Sequence, residues 1–143
     1  MKAETLFDTG VLLALLDRSD EWHQPCAESF RGLRLPLMTS EAVLTELLHL
    51  VGDTPYEVEA AWRLLRSGAV VLAPIGDHEL DAIRTLMSRY ADRPMDFADA
   101  TLVYLAHREG LSTVFTVDHD DFETYRIEGR RRFRILHSRL RTR

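Results

Sequence analysis

The 143 residues carry a formal charge of −5, with 45% hydrophobic and 29% charged residues. That balance fits one globular domain with a sizeable core, too short for two comfortable ones, and excludes low-complexity and repeat architectures. No apolar stretch is long enough to span a bilayer, and the single cysteine, Cys26, excludes an internal disulfide or a cysteine metal cluster.

The start, "MKAETLFDTG", has one lysine and then a glutamate, and the apolar run "VLLALL" is broken by Asp17. It does not read as a signal peptide, and with the lone cysteine it leads us to expect a reducing, cytoplasmic setting. "TLF" predicts a first strand ending at about Phe7, followed by a helix over "VLLALLD". Capping residues at Ser19 or Asp20 open a second helical segment that runs to about Gly32. "LPLMTS" predicts a second strand, and Ser40 caps the helix "EAVLTELLHLVG", which ends at Gly52. Thr54, Pro55 and Gly68 frame the next helix in the same way. "AVVLAPI" is a third strand and "DHELDAIRTLMSRYAD" a helix. A further helix runs from about Asp96 to Glu109 and stops at Gly110, and "STVFTVD" is a fourth strand ending at Asp118. "DDFETYRIEG" reads as short helical or irregular chain, and "RRFRILH" as a fifth strand. Strands alternating with helices predict an α/β fold with a mainly parallel sheet covered on both faces, and sites in such folds lie at the carboxyl ends of the strands.

Two strands are thus expected to end in aspartate, Asp8 and Asp118, and in a parallel sheet those ends share an edge. Each could instead simply cap the helix that follows. Glu46 has Val43, Leu47 and Leu50 as helical neighbours, which sets its carboxylate at the middle or margin of the inward face. There it needs a cation, a proton or hydrogen bonds, unless its long side chain reaches water from a border position. Asp99 has Leu102, Val103 and Ala106 around it and poses the same problem, whereas Asp96, directly after "RPM", is explained as an N-cap.

Four acids directed to one edge repel each other, and some must take up protons unless a cation neutralises them. Oxygen ligands without a cysteine or histidine cluster favour Mg²⁺ or Mn²⁺. Hydrolysis of a phosphodiester suits such a site, because metal ions can bind the phosphate, polarise a water and stabilise the departing oxygen. The six histidines (23, 49, 78, 107, 119 and 137) are scattered without ligand spacing, and neither a phosphate-binding glycine loop nor a serine nucleophile motif is present. Charge is also divided along the chain. From Arg126 onward eight arginines face one acid, Glu128, so the body is more acidic than the net charge suggests and the end is basic. Such an end suits a polyanionic partner, or it is a solvated arm.

In order and spacing, "LFDTGVLLALLDRSDEWH", "LTELLHL", "MDFADATLVYLA" and "TVDHDDFETYRIEGRRRFRIL" resemble the PIN-domain ribonucleases, specifically the VapC-like toxins of type II toxin–antitoxin pairs. The resemblance covers essentially the whole chain. It implies a single PIN domain over 1–143, a three-layer α/β/α sandwich with a central mainly parallel sheet, and an arginine-rich C-terminal segment over 126–143. It also implies an acidic pocket for Mg²⁺ or Mn²⁺. Asp8, Glu46, Asp99 and Asp118 would be its catalytic acids, with Asp8, Asp99 and Asp118 as metal ligands. Asp96 and Asp121 resemble accessory acids, and Thr9 and Thr116 the hydroxyl residues that orient carboxylates or water. The activity implied is endonucleolytic cleavage of structured RNA, transfer or ribosomal, leaving a 5′-phosphate and a 3′-hydroxyl, with Arg130, Arg131 and Arg132 holding phosphates. A cognate antitoxin that places a basic side chain among the acids, and a homodimer, are the partners implied, with the helices between Ser40 and Gly68 as candidate contacts. Two other readings stand beside this one. A metal-dependent phosphatase would ordinarily carry a second acid two residues after its nucleophile, but "TGV" follows Asp8. A non-catalytic module could use the same acidic groove to capture a basic peptide.

Overall fold

The computed structural model describes residues 2–137, so the arginine-rich segment expected over 126–143 is described only as far as residue 137. The first strand, β1 (Thr5–Phe7), is buried along its whole length and leads through Asp8 into α1 (Thr9–Leu16). There follow α2 (His23–Arg31), β2 (Leu37–Thr39), α3 (Glu41–Val51), α4 (Pro55–Arg66) and β3 (Val70–Leu72). After a 3₁₀ turn at Asp77–Glu79 come α5 (Leu80–Arg89), α6 (Phe97–Glu109), β4 (Thr113–Thr116) and α7 (His119–Thr124). The chain then makes a two-stranded antiparallel hairpin, β5 (Arg126–Ile127) and β6 (Arg131–Arg132), before β7 (Arg134–His137).

Five strands form one sheet in the order β3-β2-β1-β4-β7, with every pairing parallel. With crossovers of the usual right hand, the connections that step outward from β1 to β3 and those that step back to β4 and β7 cover opposite faces of the sheet, as the three-layer expectation requires. The order reverses at β1, whose neighbours are β2 on one side and β4 on the other, so the crevice beyond the carboxyl ends of β1 and β4 is the topological switch point. Asp8 and Asp118 both leave the sheet there.

Burial explains the arrangement. Leu6, Phe7, Val114 and Phe115 in the two central strands are fully buried, as are Leu102, Leu105 and Ala106 of α6. Truncating a leucine in such a core costs about 2–5 kcal/mol. The β3 edge is different, for Val71 and Leu72 are exposed. Gly110, with φ of +69°, closes α6 in the left-handed conformation that glycine adopts without strain.

Four local details differ from the sequence expectation. Residues 17–22 form acid-led turns, with the Asp20 carboxylate accepting from Trp22 N–H at 2.8 Å, so α2 starts only at His23. Thr54 makes no side-chain cap bond, which leaves Pro55 to start α4. The inward stripe of α3 is Val43, Leu47 and Val51, and Leu50 points outward with 54% exposure. "RRFRILH" is split by Phe133 into a hairpin strand and a sheet strand, because the buried Phe133 ring packs edge-on against Phe122 of α7.

Candidate metal centre

Each acid reaches the switch point by local backbone logic. Asp8 is the N-cap of α1, accepting from Val11 N–H at 3.2 Å through Oδ1. Its Oδ2 accepts a hydrogen bond from the Thr116 hydroxyl, and Thr116 Oγ1 in turn accepts from Asp118 N–H at 2.9 Å. One buried threonine at the end of β4 therefore ties the acid after β1 to the acid after β4. Strand β4 stops at Thr116, two residues short of the expected end, and this leaves Asp118 free to cap α7 by accepting from Asp121 N–H at 3.3 Å. Gly10 makes the approach possible, since a Cβ there would lie 2.7 Å from Val117 Cγ2. Thr9, the first residue of α1, is buried beside Asp8.

On α6 the exposed Asp96 caps the helix and accepts from Asp99 N–H at 2.8 Å. Capping contributes about 1 kcal/mol and the helix dipole up to about another, whereas an unpaired buried carboxylate costs several. Asp99 is the half-buried acid that this balance leaves uncompensated. Its Oδ2 accepts from the Tyr125 hydroxyl at 3.0 Å, and the Tyr125 ring is itself fully buried, edge-on to Tyr90 and Phe122.

Carboxylate oxygens of Asp99, Asp118 and Asp121 lie within 4.8 Å of one another. Asp8 is their electrostatic neighbour, and half-buried Glu46 is close enough to act on Asp8. Burial drives the Asp8 carboxyl up to about 6 against the opposing hydrogen bonds from Thr116 and Val11, with Asp118 and Glu46 adding to the rise. Burial likewise raises Asp99 to about 7, helped by Asp96 and opposed by Tyr125. Asp121 is raised to about 6, first by its hydrogen bond with Asp118 and then by burial, while Arg93 opposes the rise. Three carboxyls that hold protons close to neutrality form a site that is short of positive charge. Its donors are all oxygens, and Cys26 is buried elsewhere against the core, so the set fits a hard divalent cation.

The structure brings Asp8, Glu46, Asp99, Asp118, Asp121, Thr9 and Thr116 to one edge, with Asp121 in the tightest trio and Asp96 outside it. Arg130 and Arg131 stand apart, within 3.5 and 3.7 Å of Glu128, and Arg132 is exposed on the hairpin. Sequence reasoning missed two residues. Tyr125 lay in a stretch without periodicity, and Arg93, whose guanidinium is 3.5 Å from Asp121, read only as a residue before proline.

An acid-lined crevice at the switch point of a parallel α/β/α sandwich defines a class of proteins, and comparison names it. The PIN-domain family model matches residues 5–128, and the chain belongs to that family. It is similar to Ribonuclease VapC26 of Mycobacterium tuberculosis (strain ATCC 25618 / H37Rv), 32% identical over 134 residues, with 92% of this chain and 98% of the relative covered. Among solved structures it is similar in fold to M. tuberculosis VapC20, described as a Sarcin-Ricin loop cleaving toxin. That match has a TM-score of 0.73 at 21% identity over 81% of this chain and 91% of the other. PAE2754 from Pyrobaculum aerophilum matches with a TM-score of 0.52 at 20% identity, covering 84% of each chain.

Proposed function

We propose that this protein is a divalent-metal-dependent endoribonuclease and the toxin of a toxin–antitoxin pair. The observation that carries the reading is the convergence of Asp99, Asp118 and Asp121 beside the buried Asp8 at the switch point. Similarity to a ribonuclease over nearly the whole of both chains supports it.

Asp99, Asp118 and Asp121 would hold Mg²⁺ or Mn²⁺, with Asp8 behind them and Glu46 at the margin. When bound, the ion supplies the positive charge that polarises a phosphodiester and favours ionisation of water at neutral pH. The chain's own residues fix the geometry. Thr116 and the Val11 amide hold both oxygens of Asp8, leaving that carboxylate little freedom to swing. Tyr125 orients Asp99, and Arg93 steadies Asp121. Thr9, at the first turn of α1, completes the wall beside Asp8. Asp96 serves the helix, with its charge raising the proton affinity of Asp99. Hydrolysis of structured RNA, transfer or ribosomal, would leave a 5′-phosphate and a 3′-hydroxyl.

Two protein partners belong to the same reading. An antitoxin segment with a basic side chain complements the acid cluster, and exposed Leu50, Tyr56 and Trp62 on α3 and α4 offer an apolar surface for it or for a second copy of the chain.

The test is cleavage of purified cellular RNA by protein freed of antitoxin, with Mg²⁺ or Mn²⁺ and then with chelator. Metal-dependent cleavage that is lost in both Asp8→Asn and Asp99→Asn is expected. Activity that survives both substitutions would overturn the proposed site.

A further inference from the structure

The hairpin β5–β6 sorts the arginines by side. Arg126 pairs with Arg132 and Ile127 with Arg131, and since side chains alternate along a strand, each pair shares a face. Ile127 is fully buried. On its side Glu128 lies 2.6 Å from His107 of α6, 3.5 Å from Arg130 and 3.7 Å from Arg131. The His107 hydrogen bond, the His107 charge and these two arginines hold the Glu128 carboxyl below its ordinary range. Arg130 and Arg131 are therefore already partnered by an acid.

The opposite face looks onto a cleft of about 540 Å³ between the hairpin and α7, bordered by Arg93, Asp120, Glu123, Thr124, Arg126 and Arg132. It adjoins the acid trio, because Arg93 Nη1 on its wall is 3.5 Å from Asp121 Oδ1. Arg93 Nη1 also donates to the Asp120 carbonyl at 3.0 Å and the Thr124 hydroxyl at 2.6 Å. Arg126 Nη1 donates to the carbonyls of Glu123, Thr124 and Tyr125 at the end of α7. Among the described residues both guanidiniums are anchored through Nη1 alone, which leaves Nε and Nη2 of each fork to face an anion. Arg132 forms no ion pair with a carboxylate among the described residues. Asp120 and Glu123 border the same cleft and repel an anion, which confines it to the arginine wall.

We propose that this cleft holds an RNA backbone phosphate flanking the scissile one, and that Arg132, with Arg126 and Arg93, grips substrate in place of Arg130 and Arg131. The proposal rests on the nuclease reading of the acid site. Arg132 is the residue to test, because Arg126 also closes α7 and Arg93 also steadies Asp121.

Fluorescence anisotropy of a short labelled single-stranded RNA of mixed sequence, titrated in EDTA over a series of salt concentrations, reads affinity without cleavage. Arg132→Gln is expected to weaken binding by about threefold or more and to lower the salt slope by about 0.7, the value for one phosphate contact on a single strand. Arg132→Lys should keep the slope, and Arg130→Gln with Arg131→Gln should leave it unchanged. The cleft is overturned, and the nuclease reading left standing, if the wild type cleaves RNA while the slope survives Arg132→Gln or is lost only in the Arg130/Arg131 variant. A wild type that cleaves no RNA overturns both.

Discussion

Helices α6 and α7 begin with the same local grammar and put it to different use. In each an aspartate caps the helix and accepts from the amide of an aspartate three residues on, Asp96 with Asp99 and Asp118 with Asp121. In α7 both acids join the trio, whereas in α6 only Asp99 does and Asp96 stays exposed. The difference lies in what each start is tied to. Asp118 is drawn to the switch point by its own amide bond to Thr116. At α6 the tie is one turn in, where the Tyr125 hydroxyl holds Asp99. Identical capping chemistry thus yields two site acids in one helix and a site acid plus a structural acid in the other.

The comparison breaks most visibly in activity. Asp99→Asn and Asp118→Asn should each lower metal-dependent RNA cleavage by at least about 100-fold, while Asp96→Asn, which still caps, should change it less than about threefold. Comparable losses at all three positions would remove the distinction drawn between the helices. Tyr125→Phe comes next in size. Its ring stays packed, but Asp99 loses its orienting donor, so metal affinity read by calorimetry should fall about tenfold.

A third expectation follows from proton affinity. Asp8 and Asp99 bind protons more tightly in the folded chain than in the unfolded one, to about 6 and about 7. Their contribution to stability is complete below the ordinary carboxyl range and is lost as pH rises through about 6 and 7. Metal-free protein should accordingly lose several degrees of Tm between about pH 5 and pH 8, and Asp99→Asn should flatten that loss. Mn²⁺ should restore Tm at the upper end in a concentration-dependent way, because it binds only the folded site. A metal-free Tm that is level across the range would contradict the clustered-acid account. The smallest effect is expected at Asp96→Ala, about 1 kcal/mol of stability by denaturant titration with cleavage per folded molecule retained.

Periodicity and capping residues made the layers legible, since each helix start and stop rests on a few neighbours and the apolar strands could only be buried. The same local rules marked Asp8, Asp99 and Asp118 as acids in costly or strand-end places. They could not rank Asp121 against Asp8 as a member of the tightest trio, because that depends on where α7 turns after Thr116. Nor could they find Tyr125, whose role depends on a ring buried between Tyr90 and Phe122 and on a hydroxyl that meets α6 from 26 residues away.

The sequence by itself determined the α/β alternation, the parallel sheet and the supply of acids at its carboxyl edge, for these follow from patterns a few residues long. Only the tertiary structure decided which carboxylates lie within reach of one another, and which face of the hairpin each arginine occupies. Those outcomes depend on distances of a few ångströms between side chains far apart in the chain, where Coulomb energy and desolvation change steeply.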